Sequence, residues 1–342
     1  LGVGNVLSAM RGGGVAVVGA GGAGDVVSAY VMCEVLKDLF GVVRCVPVAV
    51  PWERWSLDPF PGPIPADAFT DARFHAGCVW VSGSTRVRRP GYVFRPQASA
   101  VAEVLGSEVP AVPLDRGVDS YVECLEGLAS LGYGLTMMLD VGGDILARGW
   151  EPSLWSPLID SLSVAAALRA GGEGVETVTA VLAPGADGEL SGEYVMRRIA
   201  EVARRGGFLG VIGLLKHHLR IYERILPKTR TEAGLAAYHA LKGEMGVKTI
   251  RGGTRQVEIT PATPAAYLMK TETVAEITIL PNAILKAKTI EEANEKAHQL
   301  GITTELDLEL TAAKLHGTGT TNIPDWKKIK EKATTNLKTR KP

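Results

Sequence analysis

The sequence predicts an α/β protein: a doubly wound, mostly parallel sheet with a small α+β extension toward its carboxyl end. Three observations carry that expectation. Short apolar, valine-rich runs alternate with stretches of helical length, the pattern of a sheet covered by helices on both faces. Glycine accounts for 40 of 342 residues, without the collagen triplet and interspersed among apolar runs, so disorder is not its meaning. Aromatic residues make up only 6% while Val, Ala and Leu are abundant, a composition suited to buried parallel strands.

Taken in order, 15–19 (VAVVG) reads as a buried strand and 25–40 as the helix after it. A second strand covers 42–50, interrupted by Pro47, and the proline-rich stretch 51–65 is an irregular loop. Short strands are expected at 78–82 and 109–114, then a helix over 118–131 and a strand over 135–140 that runs into glycines. Ser156-Pro157 supplies a cap and a first-turn proline for a helix reaching Leu168. A strand follows over 175–182, and 191–205 is a helix with Val195, Ile199 and Val202 on one face. Residues 215–245 read as helical, with Thr229-x-x-Glu232 as a capping box, and Thr289-x-x-Glu292 is another. Residues 247–268 read as short strands.

Three segments are expected from composition: a sheet domain over 1–245, a small α+β extension or cap over 246–320, and a basic, solvated tail over 321–342. The first 215 residues hold 15 Arg and one Lys, the remainder 6 Arg and 15 Lys. Net charge is zero, 37 cations against 37 acids, which argues against a nucleic-acid footprint or an acidic membrane surface as partner. The tail carries seven cations and two acids, so the body is mildly acidic. No apolar run reaches the roughly 18 residues of a membrane span, and Leu1–Gly24 lacks the apolar core of a leader. A cytoplasmic protein is expected. Cys33, Cys45, Cys78 and Cys124 form no CxxC pair and read as small apolar residues.

The chemistry concentrates at strand ends. Gly19-Ala-Gly21-Gly22-Ala-Gly24-Asp25 matches G-x-G-x-x-G between a strand and a helix, a context suited to the phosphate of a nucleotide. The acid that would bind a ribose is missing from the end of the second strand, which weakens an NAD reading; the nearest later acid is Glu53. Asp25 either caps the helix or touches ligand. Two further strands end in glycine–acid loops, Asp140-Val-Gly142-Gly143-Asp144 and Gly185-Ala-Asp187-Gly188-Glu189. In an open parallel sheet such loops gather around one crevice. Acids brought that close require a cation or raised pKa values. Asp140 and Asp144 are therefore candidate Mg²⁺ ligands, with Asp144, Asp187 and Glu189 as catalytic acids or bases. Arg54 is a candidate phosphate ligand beside Trp52. Arg148 could neutralise the acids, and Arg230 could approach the ligand.

His217-His218 point to different faces of a predicted helix and make no i,i+4 metal pair. HExxH, GxSxG and GxxxxGK[ST] are absent. The segments GAGGAGDVVSA (19–29), WERWSLDPFPGP (52–63), DVGGDIL (140–146), ADGEL (186–190), TEAG (231–234) and GITTELDLEL (301–310) resemble an uncharacterised archaeal family, the domain of unknown function numbered eleven fifty-two. That resemblance implies a Rossmann-like fold and a single family unit over 1–320, and brings no activity with it. The expectation is an enzyme acting on a nucleotide, dinucleotide or phosphorylated metabolite, capable of forming a homo-oligomer. The alternatives are a non-catalytic metabolite-binding regulator and an NAD-dependent enzyme of deoxyhypusine-synthase or sirtuin-like fold.

Overall fold

A computed structural model describes residues 13–322 and 325–339. The leader reading of 1–24 therefore falls in part, at 1–12, outside the described residues. The chain begins with β1 (Val15–Gly19), α1 (Val26–Phe40) and β2 (Cys45–Ala49). An antiparallel excursion follows in β3 (Phe69–His75), β4 (Cys78–Arg89) and β5 (Tyr92–Phe94). The alternation resumes with α2 (Gln97–Leu105), β6 (Val109–Ala111), α3 (Val118–Ser130) and β7 (Leu135–Val141). It continues through α4 (Pro157–Gly172), β8 (Glu176–Leu182), α5 (Gly192–Arg204) and β9 (Phe208–Gly213). Next come α6 (Leu219–Ile225), α7 (Gly234–Lys242), a hairpin of β10 (Gly246–Ile250) and β11 (Arg255–Ile259), and β12 (Ala265–Lys270). The last helices are α8 (Thr271–Ile277), α9 (Leu280–Ile284), α10 (Ile290–Gln299), α11 (Glu305–His316) and α12 (Trp326–Thr339).

The main sheet has ten strands, nine of them in the order β3-β4-β6-β2-β1-β7-β8-β12-β9, with β5 attached to β4. Its centre, β6-β2-β1-β7-β8, is wholly parallel. The period-2 rule then assigns its faces. Ala16 and Val18 pack with Tyr121 and Leu125 of α3 and Leu158 and Leu162 of α4 on one side. Val15 and Val17 pack with Met32 and Leu36 of α1 and Ala236 and Ala237 of α7 on the other. Because β1 is buried on both faces, its sequence is continuously apolar instead of alternating, which is why the fold class was legible. From β1 the order runs outward through β2 and β6 on one side and through β7 and β8 on the other. The switch point therefore lies between β1 and β7, where ligands bind in open α/β sheets.

Several expectations need correction. The boundary at 245 cuts through the sheet, since β12 lies between β8 and β9, antiparallel to both. Among the described residues, only the β10–β11 hairpin forms a separate small sheet. The tail is not a solvated coil: α12 buries Ile329 and Ala333 against Trp55 and Leu308. Its lysines disguised a helix with one apolar stripe. Thr229 caps no helix, because its hydroxyl donates to the Ile225 carbonyl; Thr231 Oγ1 receives the N–H of Gly234 instead. Thr289 does cap α10, accepting from the N–H of Glu292. Two of the four cysteines, Cys78 in β4 and Cys124 in α3, form a buried disulfide, whereas Cys33 and Cys45 are free thiols. Spacing along the chain could not show that pairing, because β4 and α3 meet only through the fold.

Candidate functional site

The glycine loop after β1 turns so tightly that a Cβ on Gly19 would lie 2.5 Å from the Asp25 carbonyl carbon, where α1 begins. Gly22 has φ 116°, a left-handed conformation that favours glycine. Asp25 occupies the N-cap position of α1 but makes no side-chain cap there. Its Oδ2 turns back and accepts the N–H groups of Gly21 (3.0 Å) and Val141 (3.2 Å), tying the β1 and β7 loops together. The N–H groups of Ala20, Ala23 and Asp25 are used as well, on the carbonyls of Leu139, Trp52 and Gly22. Much of the loop's donor capacity is thus satisfied within the protein.

Around Gly21 three carboxylates converge. A Cβ there would sit 2.8 Å from Asp25 Oδ2, 2.9 Å from Asp140 Oδ1 and 3.4 Å from Asp160 Oδ1. Asp140 closes β7, and Asp160 points in from the first turn of α4. The second cluster lies beside the first, at the ends of β7 and β8. Gly142, with φ 128°, makes room for Asp187: a Cβ on it would stand 1.8 Å from Asp187 Oδ2. Gly143, with φ 120°, lies against Val195, so these two glycines admit neighbours to the turn. Asp144 and Glu189 share a hydrogen bond. Glu189 also accepts from Trp155 N (2.6 Å), Ser156 N (3.2 Å) and Arg255 Nη1 (2.9 Å).

All these acids are buried, with exposures from 2% to 8%. Burial pushes Asp25 up to about 7, against the two backbone donors that pull it down. Burial, reinforced by the negative charge of Asp25, takes Asp140 to about 8. Burial and the charge of Glu189 raise Asp187 to about 8. Asp144 and Asp160 are pushed well above the carboxylate range, by burial first and neighbouring acids second. Glu189 alone goes the other way: burial opposes its charge, but the Asp144 hydrogen bond and Arg255 prevail and hold it at about 2. Asp144 is accordingly the protonated partner and Glu189 the ionised one. Two oxygens, Asp144 Oδ1 and Asp160 Oδ1, are buried with no hydrogen-bond partner. A buried acceptor left without a donor is costly unless a proton or cation meets it.

The expected residues thus divide. Gly19, Gly21, Gly22, Gly24, Asp25, Asp140, Gly142, Gly143, Asp144, Asp187 and Glu189 all lie at the carboxyl ends of β1, β7 and β8 or on the loops that follow them. Gly24 approaches Thr231, whose Oγ1 would be 3.7 Å from a Cβ there. Arg54 pairs with Glu232 (2.6 Å), and its charge favours the ionised form of Asp25. Arg148 is away from the acids, half-exposed beside Glu201. Glu53 is also engaged, accepting from Gln97 N at 2.7 Å.

Other groups at the edge escaped sequence reasoning. Asp160 looks like an ordinary first-turn acid, and Glu305, which accepts from Leu158 N and Ile159 N, like a helix-start acid. Arg255 donates from the β11 strand to Glu189 and the Asp187 carbonyl. Lys330 of α12 donates to the carbonyls of Pro152 and Leu154 and stands 4.5 Å from the Trp155 ring centroid. Arg255 lies 5.2 Å from the same centroid. No local pattern announces such long-range contacts.

The histidine pair also differs from expectation. A 3₁₀ turn over Lys216–His218 brings both rings to Asp38, at 2.8 Å for His217 and 3.4 Å for His218. Their ligand atoms lie within 4.8 Å of one another. Yet His218 Nδ1 accepts the N–H of Leu215 (2.9 Å), so in the neutral ring Nε2 carries the hydrogen and offers no lone pair toward Asp38.

Residues 16–313 match the model of a family described as "Protein of unknown function (DUF1152)". The chain belongs to this family. The matched region contains every acid of the strand-end clusters as well as β12, and stops short of α12. No curated protein and no solved structure matches the chain.

Proposed function

We propose that the carboxyl edge of β1, β7 and β8 is a divalent-cation centre of an enzyme acting on a nucleotide, dinucleotide or other phosphorylated metabolite. The observation carrying this reading is the convergence of Asp25, Asp140 and Asp160 on Gly21, with Asp160 Oδ1 buried and unpartnered. A hard cation with oxygen ligands meets that oxygen and removes the mutual repulsion of the acids. Mg²⁺ is the best match, since it takes one or two carboxylates and completes its shell with water and substrate phosphate. Asp140 and Asp160 are the first ligands, with Asp144 on the adjoining loop. Bound there, Mg²⁺ would polarise a phosphoryl oxygen.

A phosphate does not sit on the bare glycine loop in this reading. The Gly21 N–H is held by Asp25, and three carboxylates surround the position. The phosphate approaches through the cation and toward Arg251 and Arg255; the buried Arg251 Nε makes only a 3.3 Å ion pair with Glu232. Asp187, raised to about 8, and Asp144, raised in the same direction by burial and by the neighbouring acids, are placed for proton transfer. Glu189 is a positioning residue, anchored by Arg255 and the Trp155–Ser156 backbone. The NAD reading has less support, because Glu53 at the end of β2 is already bonded to Gln97.

Titration calorimetry of the intact protein with MgCl₂ at pH 7.5 tests the proposal. Saturable heat is expected for the natural sequence and its loss in Asp140→Asn and Asp160→Asn, with circular dichroism unchanged. Absence of Mg²⁺ binding to the natural sequence sinks the reading. Mass spectrometry of small molecules that copurify, followed by their incubation with protein and Mg²⁺, separates an enzyme from a binding regulator: only the former consumes the molecule.

A further inference from the structure

A cavity of about 510 Å³, in the size range of small-molecule sites, is lined by Ser56 and Leu57 and by none of the strand-end acids. Its lining includes Tyr92, Phe94, Arg95, Gln97, Lys228 and Arg230. Short loops build it. Gln97, at the start of α2, exchanges two hydrogen bonds with the backbone of Arg230: Nε2 to the carbonyl (2.7 Å), and Arg230 N to Oε1 (3.0 Å). That double link fixes the 230 segment against α2. The next residue, Thr231, faces Gly24, so the same stretch of chain separates the cavity from the glycine loop.

The charge on the walls is unbalanced. Arg95 and Lys228 both pair with Glu103, which holds the two cationic heads near one another. Arg230 makes no side-chain hydrogen bond or salt bridge among the described residues. Three cations thus face a single ionised acid. Glu53, behind Gln97, does not change that balance, since burial raises it to about 8. Arg95 Nε is buried and has no acceptor, a donor left over because Glu103 and the Ser99 carbonyl both accept from Nη2. Gln97 also places the positive end of the α2 dipole at the cavity. Tyr92 and Phe94, with ring centroids 5.8 Å apart, supply an aromatic part of the lining.

We propose that this cavity binds a nucleoside phosphate, its base on the Tyr92–Phe94 wall and its phosphate between Arg95, Lys228 and Arg230. The site is built from its own residues and does not depend on the cation centre. Arginine side chains grip phosphate through paired N–H donors, and an aromatic face accepts any base by stacking. An inorganic anion would use half of the cavity and a free nucleoside the other half, so ligands carrying both parts bind best.

Titration calorimetry with ADP, adenosine and inorganic phosphate, each in EDTA, tests the assignment on the full chain. ADP is expected to bind at least tenfold more tightly than either fragment. Arg230→Ala should weaken ADP at least tenfold and flatten its salt dependence, since one phosphate-facing cation is lost. Arg230 is exposed and bonded only through its backbone, so the variant retains the fold. Asp140→Asn should leave ADP binding in EDTA unchanged. The proposal is overturned if ADP does not bind in EDTA, or binds no better than phosphate alone. It is equally overturned if Arg230→Ala binds ADP normally, or if Asp140→Asn abolishes binding, which would move the ligand to the acids.

Discussion

The buried acids make stability fall as pH rises, and this is the most direct reading of the cluster. Asp25, Asp140 and Asp187 stand at about 7, 8 and 8 in the folded protein, against 3.8 for an ordinary aspartate. Between pH 5 and 7 the unfolded chain has released these protons while the folded protein largely keeps them. The folded state therefore binds more protons, and the derivative of unfolding free energy with pH is negative. One retained proton is equivalent to about 1.4 kcal/mol per pH unit, and three would approach about 4. Glu189, at about 2, gains its stabilisation below pH 5 and does not oppose the trend in this window. From pH 5 to 7 a single proton amounts to roughly 2.7 kcal/mol, or a fall in Tm of about 4 °C for a chain of this length. Thermal unfolding of EDTA-treated protein at pH 5, 6, 7 and 8 measures the slope, with and without 10 mM MgCl₂. Stability should fall with pH in EDTA, and Mg²⁺ should reduce the slope by replacing the protons. A flat or rising profile in EDTA would refute the raised pKa values and, with them, the account of how the acids coexist.

Three further outcomes follow from particular contacts. Gly142→Ala forces a Cβ into Asp187 at a left-handed φ, so it should cost several kcal/mol in chemical denaturation and abolish Mg²⁺ binding; Gly134→Ala, with open space around its Cβ, serves as control. Reduction of the Cys78–Cys124 disulfide releases a loop with sequence separation 46 and should destabilise by about 4 kcal/mol in the chain-entropy estimate, read as a lower denaturation midpoint in dithiothreitol that Cys78→Ser no longer shows. Ile329→Asp puts a charge into the contact of α12 with Trp55 and should detach that helix, detected as increased amide exchange over 326–337 while β1 and β7 remain protected.

The central sheet was legible because its strands are buried on both faces and read as unbroken apolar runs, separated by stretches of helical length. The same physics exposed the acid loops: a polar residue just beyond a buried strand stands at the sheet's edge, and glycines beside it remove the side chains that would keep neighbours away. Glu305, Arg255 and Lys330 were hidden because their partners lie more than 60 residues away, and Asp160 because it meets the Gly21 loop only through the fold. The same holds for β12, whose six residues look alike whether they form an outlying hairpin strand or close a gap in the main sheet. Cys78 and Cys124 belong with them, since only the packing of β4 on α3 distinguishes a disulfide from two small apolar side chains.

The place of β12 has a consequence for synthesis. On emerging from the ribosome, β9 has no strand to pair with until residues 265–270 arrive, because β12 is its sole neighbour in the sheet among the described residues. For about fifty residues of translation, β8 and β9 therefore present bare backbone edges, the kind of surface that recruits other chains. A fragment ending near residue 245 would keep those edges permanently and should collect in inclusion bodies. The carboxyl-terminal third of the chain is thus the clasp that closes the sheet.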